Sequence, residues 1–275
     1  MDNCNVYQIA ADHNNFEQIP REQIDKSVLL GNNTASKNVI GSLIYEKQLH
    51  LVPQELLTKE VVLWHNGNSS TVLHKAALSR AQLQYIPKEF LTKEYLGMLD
   101  GINRNVIQCA ALTGDLAYIP TEEFTENLMI TKDSQGATAF HYAATAGKLS
   151  QLPKKFLKTH YMELKDNDGA TVMHYATQDN PIDVIPKEFL TDELLTLEDG
   201  NYETPLDNLL EVYDYVTDKK DYKELFSKLS TKTLQSYQKK RFHKDYKEVK
   251  ELFTNELTKR FVVRAKNLKE EDIEL

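Results

Sequence analysis

Cysteine is nearly missing from this 275-residue chain, with only Cys4 and Cys109. Two cannot build a disulfide framework or a cysteine-based zinc site. Tryptophan occurs once, glycine ten times and proline eight times, which excludes collagen-like and low-complexity classes. Long apolar runs are missing too: stretches such as Val61–Trp64 fall far short of the roughly 20 residues that a membrane-spanning helix needs. The opening MDNCNVYQIAAD lacks the basic start and apolar stretch of a secretory leader, so we expect a cytoplasmic protein with reduced thiols. The phosphate-cradling Gly-x-x-x-x-Gly-Lys-Ser/Thr, the dinucleotide Gly-x-Gly-x-x-Gly and the zinc-protease His-Glu-x-x-His are all absent. No set of catalytic groups can be assembled. We therefore expect no enzyme, no cofactor, no metal, no small-molecule substrate and no membrane partner.

What is present is a folded protein's composition, 41% hydrophobic and 27% charged, with the charge unevenly spread. Residues 1–217 carry 17 Lys and Arg against 30 Asp and Glu, a net −13, whereas residues 218–275 carry 16 against 11, a net +5. An acidic body thus meets a basic C-terminal segment near residue 217.

The body is periodic. Pro20, Pro53, Pro87, Pro120, Pro153 and Pro186 are 33, 34, 33, 33 and 33 residues apart. A pair of small or aliphatic residues keeps the same beat, through Ala10-Ala11, Leu43-Ile44, Ala76-Ala77, Ala110-Ala111, Ala143-Ala144, Ala176-Thr177 and Leu209-Leu210. Two markers held in register over that distance define six units and the start of a seventh. Within a unit, "TAFHYAATAG" from Thr138 to Gly147 reads as a short helix with a hydroxyl N-cap and a glycine stop. Ile-Pro-Lys-Glu-Phe-Leu-Thr follows, identical at 86–92 and 185–191. Proline at a first helical position, then an acid, reads as a second helix start with Phe90, Leu91, Phe189 and Leu190 turned inward. Asp-x-x-Gly loops, clearest at Asp133–Gly136 and Asp166–Gly169, return the chain to the next unit. No unit can bury its apolar face alone, so the expected architecture is an all-α solenoid.

The string Gly136-x-Thr138-x-x-His141-x-Ala143-Ala144-x-x-Gly147 resembles the first half of an ankyrin repeat. It recurs as Gly169, Thr171, His174 and Ala176, and Thr204-Pro205-Leu206 approaches the family's Thr-Pro-Leu-His with Asp207 in the histidine slot. The second half departs, because Ile-Pro-x-Glu-Phe-Leu-Thr replaces the usual longer helix. The resemblance covers roughly residues 1–212 and implies six to seven ankyrin-like repeats; the helical spacing of the segment after residue 217 reads as a C-terminal helical cap on the last of them. The first two units hold Asn5 and Gln8, then Asn38 and Gly41, in place of Thr and His, as degenerate end units would.

The histidine slot invites a catalytic or metal reading. It holds Gln8, Gly41, His74, Gln108, His141, His174 and Asp207. Packed helices would space this column roughly 10 Å apart, whereas zinc needs ligands about 2 Å from one ion. Thr71, Thr138 and Thr171 accompany the three histidines, and Asn105 accompanies Gln108, so the two slots vary together as a structural pair. The resemblance implies the same, a histidine bonded near the preceding threonine that ties one loop to the next. Cys109, beside Ala110-Ala111, reads as a small core residue. Glu122-Glu123 reads as an acidic helix start. Asp166–Gly169 lacks the later ligands of a calcium loop, with Thr177 at the twelfth position.

In the basic segment, Phe242, Tyr246, Val249, Phe253 and Leu257 predict an amphipathic helix from Phe242 to Arg264, with the tail 269–275 frayed. Lys239, Lys240, Arg241, His243, Lys244, Lys247 and Lys250 form a basic cluster on or beside its other face. The cluster reads first as a solvated face. A less favoured reading makes it a nucleic-acid or acidic-partner patch.

A solenoid of this kind offers an extended outer surface to other proteins. Candidate partner-binding positions are the loop tips that break the repeat's own rule: Asn66, Asn68, Ile102, Arg104, Ser134, Gln135, Asn167, Asp168, Asn201 and Tyr202. The leading expectation is a non-catalytic interaction scaffold, an effector or inhibitor that occludes a partner protein. The alternative is an acidic nucleic-acid mimic directed at a nucleic-acid-binding defence protein, of antirestriction or anti-CRISPR type.

Overall fold

The computed structural model describes residues 4–31, 38–65, 67, 69–178, 182–213, 216, 219–239 and 247–271, less the side chains of 4, 5, 247 and 264–271. Helices and turns make up these residues, with no β-strand among them. The first three units supply α1 (Cys4–Asp12) and α2 (Lys26–Leu30), α3 (Val39–Tyr45) and α4 (Lys59–Val62), then α5 (Val72–Leu78) and α6 (Lys93–Leu96). The next three supply α7 (Val106–Thr113) and α8 (Glu126–Ile130), α9 (Ala139–Thr145) and α10 (Thr159–Met162), then α11 (Val172–Gln178) and α12 (Asp192–Leu195). A seventh begins with α13 (Pro205–Tyr213). Each unit runs first helix, two single 3-10 turns, then a second helix of four or five residues.

The prolines correct the expected second helix start. Each caps a single 3-10 turn from outside rather than opening an α-helix: Pro87 sits at φ −56°, ψ 135°, and Pro186 at φ −56°, ψ 126°. The ring fixes φ and forces the preceding residue extended, as at Ile86 (φ −75°, ψ 129°). One turn therefore closes before the proline and another opens after it, with no room to continue a helix between them. Phe90, Leu91 and Phe189 are buried as the pattern predicts, while Leu190 is half-buried.

The first helices pack in sequence, α1 on α3 and so on to α11 on α13. The small pairs at 76–77, 110–111 and 143–144 lie buried along this seam. Past Tyr213 the chain forms α14 (Lys220–Lys228), α15 (Thr231–Lys239) and α16 (Lys247–Glu271). Their Tyr222, Phe226 and Phe253 join Tyr213 in an aromatic cluster, and one continuous core runs from Ala11 to Leu257. The Ser230 N–H donates to Asp192 Oδ2 at 2.7 Å, and Arg260 donates to the carbonyls of Leu229 (2.7 Å) and Ser227 (2.6 Å). These helices cap the array. The helix expected from Phe242 starts, among the described residues, at Lys247 and continues through Glu271, so the tail is helical as far as that residue. Residues 242–246 and 272–275 lie outside the described set.

Candidate protein-interaction surface

The Thr–His column is a buried brace. Thr71 accepts from the His74 backbone N–H (3.3 Å) and its hydroxyl meets His74 Nδ1 at 2.8 Å, while Nδ1 also accepts the Thr71 backbone N–H (3.3 Å). The far nitrogen, Nε2, reaches the Met98 carbonyl in the following loop at 2.9 Å. Thr171 and His174 repeat the pattern, with Nε2 3.0 Å from the Glu203 carbonyl. At the start of α7, Asn105 and Gln108 make the same box from amides, and Gln108 Nε2 donates to the Thr131 (3.0 Å) and Ala137 (2.9 Å) carbonyls. Thr204 and Asp207 close a further box. Nδ1 of His74 and His174 is thus occupied within its own unit, and the far nitrogens of His74, His174 and Gln108 are spent on the next loop. His141 is fully buried, its Nδ1 is 2.9 Å from Thr138 Oγ1, and burial pushes its pKa down to about 4. Among the described residues, no group of three or more His, Cys, Asp or Glu converges on a metal position. Cys109 is fully buried, and burial pushes its thiol up to about 12.

The loops form a row. Asp100, Asp133, Asp166 and Asp199 fall 33 residues apart, and each folds its own loop by accepting two backbone N–H groups on Oδ1, two and four residues on. Tyr142 and Tyr175 each donate to the second oxygen of the aspartate nine residues earlier. Adjacent loops are joined by backbone rungs: Ser134 N–H to the Ile102 carbonyl (3.0 Å), Asn167 to Gln135 (2.9 Å), and Gly200 to Asp168 (2.8 Å). Approach is so close at Gly136 that a Cβ would sit 2.4 Å from Asn167 Oδ1 and 2.7 Å from its backbone nitrogen. Lys132 and Lys165 add cross-links to the carbonyls of Lys165 (2.7 Å) and Glu198 (3.0 Å).

This row sorts the sequence candidates. Ile102, Ser134, Gln135, Asn167, Asp168, Asn201 and Tyr202 are exposed side by side along the loop edge. Arg104 turns inward, its Nε and Nη2 3.0 and 2.9 Å from Asp100 Oδ2, so it braces its loop instead of facing outward. Asn66 and Asn68 lie outside the described residues. So do Lys240, Arg241, His243 and Lys244 of the basic cluster; Lys239 is exposed at the end of α15, and Lys247 opens α16.

One residue of the row had a signal that motif reading passed over. The last loop position before the repeat's small-residue step is left-handed in every described loop: Ser69 (φ 60°), Asn103 (64°), Gly136 (79°), Gly169 (81°) and Tyr202 (64°). Four of these are small or amide residues that tolerate the conformation; the fifth is a tyrosine, 77% exposed. Aligning the units on their prolines is enough to find it.

A second regular row follows the prolines. Glu22, Glu55, Glu89, Glu122 and Glu188 stand two residues after successive prolines, all exposed, with Lys155 as the one interruption. Arg21, Lys88, Lys154 and Lys187 stand one residue before those positions and are exposed beside them, so the row carries both signs. Among the described residues no helix is long and apolar enough to cross a membrane. Compared with known families and with curated proteins, the chain matches no family model and no curated sequence.

Proposed function

We propose that this chain is a divergent ankyrin-like array that works as a non-catalytic binding scaffold, occluding a partner protein along its loop edge. The observation that carries the reading is Tyr202. A large aromatic ring is held outward in a left-handed slot that the other described loops fill with small or amide residues, at the end of a row whose backbone is pinned rung by rung. Pinned loops lose little entropy on binding, and an exposed tyrosine offers large contact area for few rotatable bonds. Ile102 supplies a second exposed apolar side chain on the same edge.

The acidic nucleic-acid mimic is the weaker reading. A mimic needs an uninterrupted line of negative charge, and the regular glutamate row is paired with basic neighbours in most units. Affinity capture tests the two together, with the intact chain and with Ile102→Asp/Tyr202→Asp. The scaffold reading expects a partner retained above about 0.5 M salt, where exposed charges are screened, and lost with the double substitution. Retention by the substituted chain, or elution by salt alone, overturns it.

A further inference from the structure

Tyr142 and Tyr175, one residue past the histidine slot, each donate to the loop aspartate nine residues earlier, and Tyr175 also packs edge-on against His141 of the preceding unit. The third unit keeps a donor in that column and loses both partners. Lys75 stands there, with Asn66 nine residues before it, and the histidine slot of the preceding unit holds Gly41. The loops at 31–38 and 65–71 contain no Asp or Glu at all. Lys75 Nζ sits over the Trp64 ring, 5.4 Å from its centroid. Burial alone holds its pKa below the ordinary lysine range, whereas a neighbouring carboxylate would raise it. The Asn38 carboxamide carbon and Lys75 Nζ both lie 3.8 Å from the point where a Cβ on Gly41 would stand. Asn38 is 2% exposed, and its Nδ2 is buried with no hydrogen-bond partner. Asn105, which caps α7 from the same position, spends its Nδ2 on the Leu128 carbonyl at 2.8 Å. Two donors thus border the empty slot without an acceptor. The local charge is also the reverse of the body's. Residues 31–85 carry five Lys and Arg against three Glu, a net of 5 − 3 = +2, within a body of −13.

We propose that Lys75 receives a carboxylate from outside the chain, the side chain of an aspartate or glutamate in a partner segment that runs along the loop edge and crosses the face of Trp64. The later units supply the acid for this column from their own loops, and here a partner supplies it. A side chain fits better than a chain end, because the group being replaced is itself a side chain and a segment lying along the edge passes the site in its middle. A half-buried ammonium without a counterion gains most from such an ion pair, since part of its desolvation is already spent. Leu78, half-buried three residues on along α5, offers an apolar neighbour to the residue flanking the acid. The inference deepens the scaffold reading and rests on it for the partner's being a protein.

Trp64 is the only tryptophan of the chain, so its emission reports on this site. The full chain is titrated with short peptides that lack tryptophan. One is capped at both ends and carries aspartate between two leucines; a second has asparagine in that place; a third is the asparagine peptide with a free C-terminal carboxylate. The aspartate peptide should change the emission saturably and bind about tenfold more tightly than either of the others. Lys75→Met should remove that preference and Lys75→Arg should keep it. The comparison of aspartate with asparagine on the unsubstituted chain stands even where a variant folds poorly. Ile102→Asp/Tyr202→Asp, which tests the scaffold reading, should leave the Trp64 response in place, so the two readings fail separately. No saturable response, equal binding of the aspartate and asparagine peptides, equal binding of the free chain end, or a preference that survives Lys75→Met overturns the proposal.

Discussion

From Asp100 to Asp207 the junctions between units are closed by recurring polar contacts: an aspartate-folded loop, a backbone rung and a buried box. Among the described residues from Lys220 onward no such set recurs, and the helices gather around Tyr213, Tyr222, Phe226 and Phe253, with ring centroids 5.2 to 5.7 Å apart across the contacting pairs that join them to Tyr213 and Phe253. The difference teaches where damage travels. An array closed by copies of one device loses a single junction when one copy fails, because each unit contacts only its neighbours. A cap held at one cluster stands or falls as a piece.

The largest test removes a ring from that cluster. Phe253 meets Phe226 at 5.2 Å and 90°, and Phe253→Ala is expected to cost about 3–5 kcal/mol. Hydrogen exchange should show α14–α16 losing protection while α5–α11 keep theirs. If all helices lose protection together, the two regions are one cooperative body and the comparison fails.

The second test uses pH on the array. His141 is neutral and buried, with a folded pKa pushed down to about 4 against 6.5 unfolded, by burial partly offset by Asp166 and the nearby Ala170 and Leu164 carbonyls and reinforced by Lys132. Below pH 6.5 the unfolded chain takes up a proton that the folded one refuses, so this contribution is fully present above 6.5. It drains away as pH falls toward 4, by up to about 3 kcal/mol. Thermal melts from pH 7 to 4 should show the loss, and His141→Gln should flatten it, since Gln108 fills the same slot of its own unit with an amide that does not titrate. An unchanged slope in the glutamine variant would assign the acid sensitivity elsewhere.

The sequence disclosed the first half of each unit better than the second, for a physical reason. The first helix is written in side chains with one dominant role each: a hydroxyl or amide cap, a packing pair, a brace at the third position. Thr71 with His74 and Asn105 with Gln108 vary together because each pair closes one box. The second half turns on how many residues a helix keeps after a proline, and Ile86-Pro87-Lys88-Glu89-Phe90 satisfies an α-helix start and a 3-10 turn equally until neighbouring units decide. The candidate surface was legible as a row of loop tips. That Arg104 is spent on Asp100 was not, since an arginine four residues from an aspartate in a loop has no fixed direction until the loop folds.

A smaller test sharpens the comparison at a single rung. Gly136→Ala drives a Cβ against the Asn167 backbone nitrogen at 2.7 Å and holds alanine at φ 79°, for a cost of about 2 kcal/mol or more. In a one-dimensional array, protection should fall at α9 and α11 and recover away from them. Uniform loss along the chain would mean the rungs are not local.

The smallest effect bears on what the loop edge is for. Tyr202 occupies the left-handed slot at φ 64° where Asn103 sits at the same angle, and its ring is exposed. Asparagine tolerates that region better than an aromatic residue, and an exposed ring returns little packing, so Tyr202→Asn should raise stability by about 0.5 kcal/mol. A tyrosine kept at a strained position without a stabilising contact is explained if it serves a partner, and the same substitution should then weaken capture of that partner while the melting temperature rises. Stability and binding moving in opposite directions would tie the residue to recognition. A falling melting temperature would return it to the fold, leaving Ile102 as the anchor to test next.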